Sequence, residues 1–167
     1  MISSLILTLM LAPPAQADPL ILARQGMAQC YTPNMAARTC RALATYEFHP
    51  DGRITNYAEV LLNPEPAVVM QAATAVHIRD SAVCGTLSDS DILELRLNGE
   101  IMTGPLEQQV RQVVLAQRTG EGEICTTYAP GADATMTYTV TIGGKQQPDD
   151  GDTVLWVDPA EGWTVAP

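Results

Sequence analysis

Residues 44–62, ATYEFHPDGRITNYAEVLL, constrain the fold most strongly, because polarity alternates with period two on both sides of a Pro-Asp-Gly bend. Before the bend, Ala44, Tyr46 and Phe48 stand against Thr45, Glu47 and His49. After it, Ile54, Ala58, Val60 and Leu62 stand against Arg53, Thr55, Tyr57 and Glu59, and only Asn56 breaks the apolar row. Successive strand residues point to opposite faces, so the stretch predicts two half-buried antiparallel strands. Pro50 and Asp51 suit the right-handed positions of a three-residue hairpin loop, and Gly52 suits the left-handed position that closes it with a bulge. The turn then sets His49 opposite Arg53 and Phe48 opposite Ile54, with Phe48 and Ile54 facing inward. His49 and Asp51, which together suggest a metal or acid-base site, are accounted for by turn chemistry.

The same period recurs downstream. In ATMTYTVTI, Met136, Tyr138, Val140 and Ile142 alternate with Thr135, Thr137, Thr139 and Thr141, so one face is buried and the other is a row of hydroxyls. After the Pro64–Pro66 connector, AVVMQAATAVHIRDSAVCGTL reads as a long or broken strand, with Val76 and Ile78 on one face and His77 and Arg79 on the other. EICTTYA is a further strand, and TVLWV with WTVAP is a hairpin whose four-residue loop sets Trp156 and Trp163 on one face as diagonal neighbours. SDSDILELRLNGEIM predicts a short helix capped at Ser88, then a strand or hairpin turning at Asn98-Gly99.

Helix signals are fewer. Asp18-Pro19 is a cap followed by proline, opening a short helix through LILARQGMAQ that Gly26 weakens. Thr32-Pro33 repeats the signal within CYTPNMAARTC. The clearest helix is GPLEQQVRQVVLAQRTG: Pro105 starts it, Leu106, Val110, Val113, Val114 and Gln117 share a face, and Gly120 ends it. The expected fold is therefore α+β, an antiparallel sheet of about 5–7 strands with one main amphipathic helix, about 105–118, packed on it. A short N-terminal helix and disulfide bonds complete that expectation, in a single domain over residues 18–167.

The chain opens MISSLILTLMLAPPAQADP, an apolar run followed by the small-x-small pattern Ala15-Gln16-Ala17. This predicts a secretory signal, residues 1–17, cleaved after Ala17. The run is about ten residues, short of the ~20 that a membrane-spanning helix needs. Export implies an oxidising compartment, periplasmic or extracellular, in which the four cysteines pair. Of three connectivities, Cys30 with Cys40 and Cys84 with Cys125 are favoured, closing loops of about ten and about forty residues worth ~3 and ~4 kcal/mol. The spacing carries no C-x-x-C pair and no neighbouring histidine, against a zinc site. A net charge of −10 repels nucleic-acid backbones and anionic lipid surfaces.

No nucleophile elbow, P-loop, dinucleotide fingerprint, HExxH or EF-hand loop is present. Asp149, Asp150 and Asp152 in QQPDDGD offer hard oxygen ligands for calcium without the alternating spacing of known loops, so neither metal nor cofactor is expected. The least weak catalytic candidates are His77, Asp80 and Ser81. Same-face neighbours two apart along a strand lie ~7 Å apart, too far for His77 to activate Ser81 without a bend. His77 with Arg79 suits an anion on the sheet face, and Trp156 with Trp163 is the candidate contact surface if exposed. The leading expectation is a small exported, non-catalytic binding or envelope-associated module with a protein or small-molecule partner. The alternatives are a small secreted hydrolase-type enzyme centred on His77, and a secreted inhibitor presenting YTPNMAART between Cys30 and Cys40.

Overall fold

The computed structural model describes residues 18–118, 122–147 and 153–167. The signal segment 1–17, the aspartates at 149, 150 and 152 and the helix-ending Gly120 lie outside the described residues. In chain order the strands are β1 (Ala28–Tyr31), β2 (Thr39–Cys40), β3 (Ala42–Phe48), β4 (Ile54–Pro64), β5 (Ala67–Arg79) and β6 (Ala82–Gly85). They continue with β7 (Ile92–Leu97), β8 (Glu100–Ile101), β9 (Ile124–Pro130), β10 (Met136–Ile142), β11 (Lys145–Gln146), β12 (Thr153–Val157) and β13 (Thr164–Val165). The one α-helix among the described residues, α1, spans Pro105–Arg118 and follows β8.

The α+β expectation is wrong: the sheet closes on itself. Strands β1, β3, β4, β5, β6, β9, β10 and β12 run antiparallel, each beside the next, and β12 returns to pair with β1, making an eight-stranded up-and-down barrel. Closure removes the exposed edges that an open sheet must protect. β7 and β8 extend the wall beside the first half of β5, β11 folds back on β10, and β13 lies parallel to β2 on the outside. WTVAP is therefore not the hairpin partner of β12.

The hairpin at HPDG forms in the expected register. Phe48 faces Ile54, the His49 and Gly52 backbones bond across the turn, and Gly52 takes φ +87°. Asp51 accepts from the Arg53 N–H at 3.1 Å, and His49 Nε2 bonds the Thr55 hydroxyl at 2.9 Å, so both polar groups serve the turn. Asn56 faces inward yet is satisfied by the Thr45 carbonyl at 3.2 Å.

Three helix expectations need correction. After Asp18, whose carboxylate accepts from the Leu20 N–H, the chain makes a single 3₁₀ turn at Ala23–Gln25, stops at Gly26 with φ +88°, and enters β1. Pairing of β1 with both β3 and β12 outweighs the helical propensity of LILARQGMAQ. The first disulfide loop is headed by Asn34, whose side chain accepts from Ala36 and Ala37, and not by a helix capped at Thr32. α1 exists as expected but does not cover a sheet face: Val114 is its one buried residue up to Gln117, and Leu106 and Val113 are each 50% exposed.

Candidate functional site: a cavity beneath the helix

The barrel interior is layered. At one end Leu20 and Ala23 plug the opening over Ile54, Phe48, Val76, Ile78, Val83 and Trp156. In the middle, Gln29 is fully buried, beside Ala44 and Trp156 in register. Its side-chain carbonyl accepts from the hydroxyls of Tyr46 at 2.7 Å, Tyr31 at 3.1 Å and Tyr128 at 3.4 Å, and the Tyr31 and Tyr128 hydroxyls bond each other at 2.7 Å. Cross-strand neighbours Ala44, Ala58 and Ala72 leave the room those rings occupy. Burial raises the phenols of Tyr31 and Tyr46 well above the ordinary value, and that of Tyr128 above it, so all three stay neutral donors at any physiological pH.

The other end is not filled. β5 changes partner along its length, Val68–Ala72 pairing with β7 and Val76–Arg79 with β6, so the wall forks. α1 lies at this fork, with Val110, Val114 and Leu115 against Met70, Ile92, Leu95 and Met102. Between the helix and the barrel is a cavity of about 850 Å³. A bulge at Leu62 turns both Leu61 and Leu62 to it, joined by Val60, Val68, Val140 and Ile142 from the wall. The helix contributes Leu106, Val110, Val113 and Val114 with the amides of Gln109 and Gln117. Tyr31, stacked edge-on against Tyr138 at 5.1 Å, stands between the cavity and the tyrosine layer. Among the described residues Arg41 is the single charged residue of the lining, which there contains no Asp or Glu.

This volume falls within the ~300–1,000 Å³ of small-molecule sites, and an eight-stranded barrel is just wide enough to be filled by side chains or to hold one small ligand. Here the end plugged by Leu20 and Ala23 is filled by side chains, and the end beneath α1 is left open as a cavity.

The residues singled out from the sequence lie elsewhere. His77 and Arg79 point out of the barrel, where Glu123 accepts from Arg79 at 2.5 Å and its other oxygen lies 3.4 Å from His77 Nε2. Asp80 and Ser81 form the two-residue turn between β5 and β6, both at positive φ, and no hydrogen bond links either to His77. His77, Cys84 and Glu123 come within metal-ligand distance of one another, but Cys84 is bonded to Cys125 and offers no thiolate. Both expected disulfides form, Cys30–Cys40 and Cys84–Cys125, the latter joining directly opposed residues of β6 and β9. Trp156 points into the plugged end, whereas Trp163 packs outside the barrel on Ala28, Cys30, Cys40 and Val157. The two therefore share no face. The loop between Cys30 and Cys40 is largely exposed, with Met35 65% exposed.

None of the cavity was singled out in the sequence. The face Leu106, Val110, Val113, Val114 and Gln117 spans about 100°, the ordinary width of one packed stripe, and so gave no sign of a cavity beneath it. No protein-family model, curated protein or solved structure matches the chain. No helix among the described residues is long and apolar enough to cross a membrane.

Proposed function

We propose that this protein is a non-catalytic binding protein of the periplasm or extracellular space that holds one small apolar or amphiphilic molecule in the barrel cavity beneath α1. The observation that carries this reading is the unfilled end of the barrel. Aliphatic side chains from β4, β5, β10 and the helix converge on a cavity of about 850 Å³, while Leu106 and Val113 remain half exposed above it. An occupant would remove those side chains from water, at about 25 cal/mol per Å² of apolar surface. The two disulfides support the compartment, since paired thiols persist where the medium is oxidising.

The test is titration of the oxidised protein, stripped of bound lipid, with the uncharged fluorophore N-phenyl-1-naphthylamine. Saturable one-to-one enhancement is expected, weakened at least fivefold by Val140→Gln and by Val113→Gln. Absence of saturable enhancement from a protein whose circular dichroism shows an intact barrel would refute the reading. A second reading, a protein inhibitor, is favoured by one observation, the exposed disulfide-held loop bearing the exposed Met35. It requires that a Met35→Asp variant lose inhibition of its target.

A further inference from the structure

We propose that the occupant of the cavity is a monoanion with an apolar body, a carboxylate-bearing amphiphile whose head is bound by Arg41. This deepens the reading of the cavity as a ligand site and rests on it.

The chain has 19 acidic and 9 basic side chains, so cations are scarce and acids are plentiful. Arg24, Arg53, Arg79, Arg96 and Arg111 each face a carboxylate. Arg38 donates to the Glu161 carbonyl. The Arg41 side chain has neither an ion pair nor a hydrogen bond among the described residues, although it is a lining residue of the cavity. Among the described residues the lining holds no Asp or Glu, so Arg41 is the one charge the cavity presents there, in a protein of net charge −10.

Arg41 is also held in place. Its N–H donates to the Tyr31 carbonyl at 2.9 Å and its own carbonyl accepts from the Leu61 N–H at 2.8 Å, so its backbone bridges two lining residues. The adjacent Cys40 is tied to Cys30. This anchoring lowers the ordering cost of binding, because only the side chain remains to be immobilised. A second cation, Lys145, is the cross-strand partner of the lining residue Ile142.

The head-group chemistry follows from the donors. A guanidinium presents a planar fork that matches a carboxylate bidentately. A dianionic phosphate would bring twice the charge into the field of a strongly acidic protein with one arginine to meet it. The neutral hydroxyl and amide groups of Thr32, Gln109 and Gln117 complete a polar rim without adding charge, and the aliphatic walls below take the body of the molecule.

The experiment uses the oxidised chain and a matched pair of ligands, dodecanoic acid and 1-dodecanol, each competing with N-phenyl-1-naphthylamine at neutral pH and low salt. For the native protein the acid should displace the probe at about a tenfold lower concentration than the alcohol. In Arg41→Gln the gap should close, and in Arg41→Lys it should shrink without vanishing. Equal potency of acid and alcohol, or a gap that persists in Arg41→Gln, would overturn the assignment of Arg41 while leaving the cavity as a binding site. Failure of the probe itself to bind the folded protein would remove the cavity reading and this inference with it.

Discussion

Raising the pH through and above 10 should unfold the barrel from its tyrosine layer. Tyr31, Tyr46 and Tyr128 share a buried cluster around Gln29, and desolvation lifts all three phenols above their ordinary value of 10.0. Below pH 10 the phenols are neutral in both folded and unfolded chains, and their contribution to stability is fully present. Above it the unfolded chain ionises first, and the contribution is lost progressively until the pH passes the raised folded values. Each retained proton is worth about 1.4 kcal/mol per pH unit, so three phenols tilt stability by about 4 kcal/mol per unit. That slope holds for as long as the folded phenols keep their protons, and it draws on a total margin of only about 5–15 kcal/mol. Phenolate absorbance at 295 nm, followed together with near-ultraviolet circular dichroism, measures this directly. Tyr57, on the outer wall with its hydroxyl on Glu47, should ionise without loss of the dichroic signal. The buried group should ionise only as that signal collapses. Tyr46→Phe should lower the slope by about one third, since Gln29 keeps the other two hydroxyls. Complete ionisation of all tyrosines near pH 10, with the dichroism intact, would show that the cluster is open to water and refute the layered interior.

The covalent frame, the extension strand and one turn supply further expectations. Replacing Cys84 and Cys125 together by alanine opens a 41-residue loop and should cost about 4 kcal/mol, read as a lower urea midpoint; a shift below about 1 kcal/mol would contradict it. Leu95→Ala, at a fully buried site under α1, should cost about 2–5 kcal/mol, whereas Leu93→Lys, at the bulge in β7 and 57% exposed, should stay within about 0.5 kcal/mol. Comparable losses at the two positions would mean that β7 sits in another register. Asp80→Asn with Ser81→Gly should raise the melting temperature by a few degrees, because both residues occupy positive φ and Asn-Gly adopts that turn at least cost; an unchanged or lower value would place the strain elsewhere.

Several parts of the fold were legible because they are set within a few residues. Alternation told the inner and outer faces of several strands: Phe48 and Ile54 inside, His77 and Arg79 outside, Tyr138 and Val140 on a buried face. Turn chemistry told the register at Gly52. The pairing of Cys30 with Cys40 and of Cys84 with Cys125 followed from spacing and an even count. Where the reading failed, a distant partner decided. The segment after Asp18 has the cap and composition of a helix, yet β1 is claimed by β3 on one side and β12 on the other, more than a hundred residues away in sequence. The second tryptophan immediately precedes β13, which pairs with β2 and not with β12, and this separates it from Trp156.

Period two says that a strand has an inner face, but the same pattern serves an open sheet under a helix and a sheet rolled into a barrel. By itself the sequence determined strands, turns, disulfides and the existence of α1. Tertiary structure decided that β12 would meet β1, that β5 would divide its edge between β6 and β7, and that α1 would sit at the resulting fork with two apolar residues half in water. The cavity and its single arginine belong to that second group. Its walls come from β4, β5, β10 and α1, segments whose hydrophobicity can be seen locally but whose shared interior exists only once the sheet has closed.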